Sequence, residues 1–254
     1  PAVSTNNDLW LISLEDKGAT PRNITAPNPA YDGSPKYSPD GKYIAYRLQK
    51  QPAYESDLFR IALYDRATRQ ITVLTESFRN WVDEFRWSKD SKTIYFAGPV
   101  EGQNPIFSLD LNSKAITQVL ADKTIDTSEF DPTEHRLFYI KRSVGEPPEI
   151  YSSEIVNGKA ATPQKLSRFN EALMNEVDIR PAETMWVTGA GGERVQGRLR
   201  GEVVLAVRRR LDPQRLGRTA DECAERQAGA DTKVRPMFAE LLRVVGLDRT
   251  HVRA

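Results

Sequence analysis

The chain has 254 residues, of which 39% are hydrophobic and 28% are charged, and its formal net charge is +1. This composition is typical of a folded protein rather than a disordered one. The near-zero charge gives no general reason to expect nucleic acid or an acidic surface as a partner. No apolar run approaches the roughly 18 residues that a membrane span requires. The single cysteine, Cys223, excludes a disulfide framework and a zinc site built from cysteines.

Residue types are distributed unevenly, with a sharp change near residue 200. Residues 1–200 contain all of the aromatic residues except Phe238. The part after residue 200 has 10 arginines and 1 lysine, whereas the part before it has 14 arginines and 11 lysines. Two parts that differ this much predict two different kinds of structure.

A nine-residue segment recurs along the first part at intervals of 50 and then 43 residues. Ser38–Tyr46 (SPDGKYIAY) returns as Ser88–Phe96 (SKDSKTIYF), and a weaker copy is Asp131–Tyr139. One aromatic residue precedes each copy, namely Tyr37, Trp87 and Phe130. In the first copy, proline pre-sets φ, aspartate bonds to the following backbone and glycine permits positive φ. The β-branched and aromatic residues that follow favour a strand.

Each repeat also contains a pair of short apolar segments separated by turn residues. The pairs open at Leu9-Trp10, Leu58-Phe59, Ile106-Phe107 and Ile150-Tyr151, with partners at Ile24-Thr25, Ile71-Thr72, Ile116-Thr117 and Leu166-Ser167. Such pairs predict antiparallel hairpins, and together with the repeated turn they make four short strands per repeat. Four strands are the unit of a β-propeller blade.

The predicted architecture is therefore all-β, a partial propeller of about three and a half blades. Whole blades are expected at 35–75, 84–120 and 128–167, after half a blade at 8–25. A β-sandwich is the alternative, but a sandwich would not repeat one turn motif at one period. Because neighbouring blades must cover each other's faces, an incomplete ring predicts poor solubility or self-association through the open blade edges.

Two parts of the sequence resemble the prolyl oligopeptidase family of serine peptidases. Residues 35–46 are similar to the repeat shared by TolB-type and prolyl oligopeptidase propellers. Leu166–Leu173, Glu183–Val187 and Gly189–Gly197 resemble the exit from the last blade and the first hydrolase hairpin in the acylaminoacyl-peptidase and dipeptidyl-peptidase branch. The resemblance implies a propeller that caps an α/β-hydrolase domain, admits short peptides and excludes folded proteins. It favours a periplasmic or secreted location over a cytoplasmic one.

The sequence departs from this family where catalysis would be expected. The family reaction needs a Gly-x-Ser-x-Gly elbow, a histidine base and an orienting carboxylate. No such elbow occurs, and no serine follows Ser167. His135 falls in a predicted turn, and a Cys223–His251 pair would lack both a third group and an oxyanion hole. We therefore predict no catalytic residue and no activity for this chain alone.

No cofactor or metal site is predicted either. Gly189–Gly192 superficially resembles a phosphate-binding loop, but its flanks at Thr184–Val187 and Arg194–Leu199 have the character of strands, which favours a tight hairpin turn. The acidic residues follow the turns, and none has the spacing of a calcium loop.

The expected division is a partial propeller at 1–180, a hairpin resembling the start of a hydrolase domain at 181–200, and an atypical Arg-rich tail at 201–254. The tail is expected to be weakly helical or disordered, with Thr219–Gln227 and Pro236–Val245 compatible with helices. Its abrupt start suggests a change of reading frame or a joined sequence.

Three functions fit these observations. The chain is expected to be the substrate-gating propeller portion of a serine oligopeptidase, with short peptides as ligands. The alternative is a TolB-like scaffold that binds a protein or peptide in the propeller channel. A nucleic-acid-binding tail is disfavoured, because its arginines are interleaved with acidic residues and no interleaved aromatic side chain is available for base stacking.

Overall fold

The computed structural model describes residues 4–120, 129–143, 145–177 and 183–199. Within these ranges the chain folds as short antiparallel strands in separate sheets, with one short α-helix. This confirms the predicted all-β class. The tail and both of its predicted helices lie outside the described residues. No helix in the described part is long and apolar enough to cross a membrane.

The first half of the described chain forms a two-stranded sheet and then two complete four-stranded blades. Their strands are β1 (Trp10–Leu11), β2 (Arg22–Asn23), β3 (Asp32–Tyr37), β4 (Tyr43–Leu48), β5 (Arg60–Asp65), β6 (Ile71–Val73), β7 (Phe85–Trp87), β8 (Thr93–Ala97), β9 (Ile106–Asp110) and β10 (Ile116–Leu120). In each complete blade the strands lie in chain order, β3-β4-β5-β6 and β7-β8-β9-β10. This confirms the predicted half blade and the first two whole blades, with β5 starting two residues later than its predicted opening.

The third blade has the same order but a divided outer strand. It contains β11 (Phe130–Pro132), β12 (Arg136–Ser143), β13 (Glu146–Val156), β14 (Lys159–Ala160) and β15 (Gln164–Lys165). Both β14 and β15 pair with β13, which at 11 residues is long enough to accept two partners along one edge.

The repeated turn has the same hydrogen bonds in its first two copies. The Ser38 hydroxyl donates to Asp40 Oδ1 at 2.6 Å and accepts from the Tyr43 amide at 3.0 Å. In the second copy, Ser88 makes the same two bonds to Asp90 and Thr93, at 2.6 and 2.9 Å. The two turns also contact each other, because the Asp40 amide donates to Ser91 Oγ at 3.1 Å. The recurring sequence segment therefore forms the same hydrogen-bonded turn in both blades.

The third copy differs from its predicted alignment. Thr133 takes the place of the turn serine, since its hydroxyl accepts from the Arg136 amide at 3.0 Å and donates to the Arg136 carbonyl at 2.9 Å. This turn is two residues shorter, and Asp131, which was predicted to open it, lies within β11. Phe130 pairs with Tyr139 as Phe85 pairs with Phe96, so it corresponds to Phe85 and not to Trp87.

Three apolar clusters hold the sheets together, and each is shared by two successive blades. Between the half blade and the first whole blade, the cluster contains Leu9, Ile24, Ile44, Tyr46, Leu48, Ala62 and Tyr64. Between the first and second blades it includes Ala45, Ile61, Leu63, Leu74, Val82, Phe85, Ile94, Phe96, Phe107 and Leu109. Between the second and third it contains Ala97, Ile106, Leu120, Phe130, Leu137, Tyr139 and Tyr151. This face-to-face stacking is the packing of a propeller.

Three blades end on a buried hydroxyl that accepts a hydrogen bond from an earlier strand. Thr25 and Thr75 accept from the amides of Leu9 and Ile61, each at 2.9 Å. Ser167 accepts from the Ile150 amide at 2.8 Å. Thr25 and Ser167 belong to the predicted partners Ile24-Thr25 and Leu166-Ser167, whereas Thr75 lies three residues beyond the predicted Ile71-Thr72. All three hydroxyls lie where the strand pairing stops.

Glu149 holds the segment that leaves the third blade. Its side chain is only 1% exposed and accepts hydrogen bonds from the Ser167 hydroxyl, from the Asn170 amide at 2.8 Å and from the Phe169 amide at 3.2 Å. Burial alone would raise the pKa of Glu149, but these hydrogen bonds outweigh it and hold the pKa below its usual range. One carboxylate thus fixes the backbone just before α1 (Glu171–Glu176).

The last described element is a two-stranded hairpin. β16 (Glu183–Thr188) pairs antiparallel with β17 (Arg194–Leu199), and the Gly189 amide closes the turn by donating to the Glu193 carbonyl at 2.7 Å. Gly191 and Gly192 both have positive φ within this turn. This confirms the predicted hairpin.

Replacement of Gly41 by alanine should destabilise the first blade by about 1 kcal/mol. Gly41 has a φ of +70°, while the nearest atom to an added Cβ is an arginine nitrogen at 3.7 Å, so the cost comes from the backbone alone. Urea unfolding of the full chain would measure it. Gly18→Ala is the matched control, because that glycine lacks a positive φ and its neighbour is at an ordinary 3.5 Å. Equal effects of the two changes would contradict the prediction.

Replacement of Glu149 by glutamine should lower the free energy of unfolding by about 2 kcal/mol at neutral pH, because the bonds to a buried charge are lost. The pKa of Glu149 is lower in the folded chain, so its stabilisation is present above the unfolded pKa and disappears as pH falls through the folded pKa. The gap between wild type and E149Q should therefore narrow in acid.

The control for E149Q is Glu154→Gln on the same strand, where an exposed carboxylate pairs with Arg136. We expect a change within about 0.5 kcal/mol for this variant. A gap between wild type and E149Q that stays constant from pH 7 to pH 3 would show that the Glu149 charge is not responsible.

Candidate binding site on the inner strands

The first strands of the three blades lie next to one another. The Trp87 indole donates to the Lys36 carbonyl at 3.1 Å, which joins β7 to β3, and β11 contacts β7. In a propeller the blades surround a central channel. Side chains on these inner strands are therefore the ones that a ligand in the channel would meet.

A charged group spans the inner strands of the first two blades. We name Lys36, Arg47, Glu84 and Arg86 the Lys36 cluster. Glu84 Oε1 accepts from both Lys36 Nζ and Arg86 Nη1. These two nitrogens also donate to the Phe85 carbonyl, at 2.8 and 3.0 Å. The side chains of Lys36, Glu84 and Arg86 are 30–35% exposed, so solvent reaches the group.

Arg47 approaches the same group from β4. Its Nη1 donates to the Asp83 carbonyl, and its guanidinium lies 4.6 Å from the centre of the Phe59 ring. Its Nε is buried and has no hydrogen-bond partner among the described residues. A buried N–H without a partner is costly and uncommon in folded proteins.

The cluster has more positive than negative charge. Burial, and then the charges of Arg86 and Arg47, lower the pKa of Lys36 to about 8. The Lys36 amine is therefore mostly protonated at pH 7 but loses its proton at mildly alkaline pH. Such a group favours an anion, since a negative charge would relieve the repulsion between its cations.

The repeat places a charged residue at the same inner-strand position in each blade. Lys36, Arg86 and Asp131 each lie two residues before the turn hydroxyl of their copy. Across the sheet, they pair with Ala45, Tyr95 and Phe138. This regularity is visible in the sequence once the third turn is aligned on Thr133. The sequence prediction named no site residue and did not use this regularity.

Of the residues weighed as catalytic candidates, His135 is the one that lies within the described residues. His135 lies in the turn before β12, with its side chain 82% exposed and Glu134 at 3.8 Å. The Ser167 hydroxyl is bonded to the Ile150 amide and to Glu149. Cys223 and His251 lie outside the described residues. Among the described residues, no group of three or more His, Cys, Asp or Glu side chains is placed to hold a metal ion.

Similar proteins identify the propeller more closely. The chain is 30% identical over 191 residues to dipeptidyl-peptidase 5 of Porphyromonas gingivalis, which covers 75% of this chain and 27% of that protein. It is 33% identical over 195 residues to dipeptidyl-peptidase 5 of Porphyromonas endodontalis, covering 76% and 27%. No protein-family model matches the chain.

Solved structures agree on the fold. Acylaminoacyl peptidase of Pyrococcus horikoshii superposes with a TM-score of 0.58 at 17% identity, over 75% of this chain and 27% of that one. The chain therefore spans about a quarter of the length of the relatives it matches. Its relatives and its stacked four-stranded blades show that the chain belongs to the prolyl oligopeptidase family, within the propeller part.

Proposed function

We propose that this chain is the substrate-gating propeller portion of a serine-type oligopeptidase and is not itself a catalyst. The relation to dipeptidyl-peptidase 5 over 191 residues is the observation that supports it most strongly. The related stretch coincides with the stacked blades, whose adjacent inner strands carry Lys36 and Arg86. In this role the propeller selects short peptides by size and passes them to a separate catalytic domain.

The described chemistry supports a role without catalysis. Acyl transfer through a serine ester needs a serine next to a histidine base and an oxyanion hole. His135, the histidine within the described residues, points into solvent beside Glu134. The buried Ser167 hydroxyl is committed to Glu149 and to the Ile150 amide.

We propose that the propeller occupies residues 1–180 and that 181–200 begins the next domain. The hairpin exposes Trp186, Val187 and Val195, apolar side chains that a following domain would cover. Residues 201–254 are then a tail that does not match the family. A TolB-like scaffold shares the repeated turn but does not account for this hairpin or for the Glu149-anchored exit. Capture of one specific folded partner by the full chain would favour the scaffold.

A fluorophosphonate probe should leave the purified full chain unlabelled, because this probe reacts only with an activated serine. Intact-mass measurement after prolonged exposure would test this, with an active serine peptidase treated in parallel to show that the probe is reactive. Stoichiometric labelling, localised to one serine by peptide mapping, would overturn the proposal that the chain lacks catalytic power.

We also propose that the chain self-associates. β1 has a strand partner along one edge only within the described residues, and the half blade exposes Trp10, Ile12 and Leu14. Such an edge is open to pairing with another chain. Light scattering over a tenfold concentration range should give masses above the monomer value of 28.7 kDa.

Replacement of Leu14, which is 93% exposed, by glutamate should reduce this association without a folding cost. Tyr54→Glu is the control, since Tyr54 is exposed in a loop of the first whole blade. A constant monomeric mass for the wild-type chain would refute self-association.

A further inference from the structure

We propose that Lys36, Arg47 and Arg86 form a subsite that binds a carboxylate group of a peptide in the propeller channel. The inference deepens the proposed function, because it assumes that peptides enter the channel. The occupant is defined by its chemistry: a C-terminal carboxylate or the side chain of an acidic residue. Glu84 then orients the two cations that flank it.

The charge balance is the first reason. Three cations share the cluster with one glutamate, and both Lys36 and Arg86 use the same oxygen of that glutamate. Taking cations out of water without matching anions is costly. Burial first, and then the charges of Arg86 and Arg47, lower the pKa of Lys36, which is consistent with that cost. A bound carboxylate would supply the missing charge.

The count of hydrogen-bond donors is the second reason. A guanidinium has five N–H donors in a planar fork. Within the described residues, Arg86 uses only Nη1 for hydrogen bonds, to Glu84 and to the Phe85 carbonyl. Arg47 likewise leaves its buried Nε without an acceptor. Arginine forks suit the two oxygens of a carboxylate, which can accept bonds from both sides.

Location and access are the third reason. Lys36 and Arg86 occupy the same repeat position on adjacent inner strands, and each is about one-third exposed. Arg86 also lies 5.9 Å from the Phe130 ring of the third blade, which restrains its direction. The corresponding residue of that blade, Asp131, is exposed and acidic. The positive charge at this inner-strand position is therefore confined to the first two blades.

A purely structural role for the cluster makes a different prediction. Lys36 joins β3 to β7 through Glu84 and the Phe85 carbonyl, and Arg86 donates to the same two acceptors, so either substitution can lower stability. If the cluster only joined the two strands, added carboxylates would not change the pKa of Lys36. The decisive readout is therefore the ionisation of Lys36 in the presence of a ligand, not the stability of a variant.

The experiment uses the full chain with its lysines reductively methylated with carbon-13, and the Lys36 signal is identified by its loss in Lys36→Arg. The signal should titrate near pH 8. At constant ionic strength, saturation with Ala-Ala-Ala or with acetyl-Ala-Glu-Ala-amide should raise the midpoint by about 1 pH unit, as a close opposite charge does. Ala-Ala-Ala-amide should leave it unchanged. The two carboxylate peptides tell a C-terminal from a side-chain source.

Arg86→Gln should weaken binding of the effective peptide about tenfold, the loss expected for one charge-assisted contact. Arg79→Gln is the matched control at an exposed arginine just before β7 and should bind as wild type. If R86Q does not fold, the comparison of carboxylate and amide peptides on the wild-type chain remains the test.

Each outcome separates the subsite from the proposed function. Equal binding of the amide and the carboxylate peptides, without a shift at Lys36, would keep a peptide-binding propeller and overturn the subsite. A shift with acetate alone, with no peptide binding, would keep a carboxylate site and overturn the proposed function. No shift with acetate or any peptide would overturn the subsite.

Discussion

A blade of four short strands has two apolar faces. In this chain, each buried face of a blade is covered by the neighbouring blade. Phe85, Ile94 and Phe96 of the second blade are fully buried against the first blade, and each such side chain contributes roughly 2 kcal/mol when removed from water. The strand pairing of a blade lies within its own sheet, but its core is completed only by a neighbour. Stability therefore belongs to pairs of blades and not to single sheets.

That dependence explains which features the sequence could predict. The positions of the strands and the number of blades follow from a local signal, a polar turn followed by alternating apolar residues. This signal is present in all three whole blades. The predicted alignment of the third copy was wrong because it placed Asp131 opposite Ser38. In the structure the residue equivalent to Ser38 is Thr133, because its hydroxyl makes the same bond. Thr133 and Arg136 make the bonds of Ser38 and Tyr43 with two fewer residues between them. The hydrogen bond of the turn is kept when the turn becomes two residues shorter, although the sequence pattern is no longer recognisable.

The charged features were beyond prediction for another physical reason. Lys36 and Glu84 are 48 residues apart, and Glu149 and Asn170 are 21 apart, so nothing local brings them together. Each looks like an ordinary surface residue until the blades stack and the exit segment folds back. Burial then lowers the pKa of Lys36, whereas hydrogen bonds outweigh burial and lower the pKa of Glu149. Only the recurrence of a charge two residues before each turn hydroxyl was open to inspection in the sequence.

The bond from the Asp40 amide to Ser91 Oγ has a consequence for how the repeat can change over time. Ser91 has a φ of +61°, a conformation in which glycine would be less strained, and the first copy does have glycine there. A glycine at 91 would relieve strain within its own turn and remove the acceptor on which the neighbouring turn depends. The sequences of two copies linked in this way cannot change independently, since the most favourable residue in one turn depends partly on the neighbouring turn.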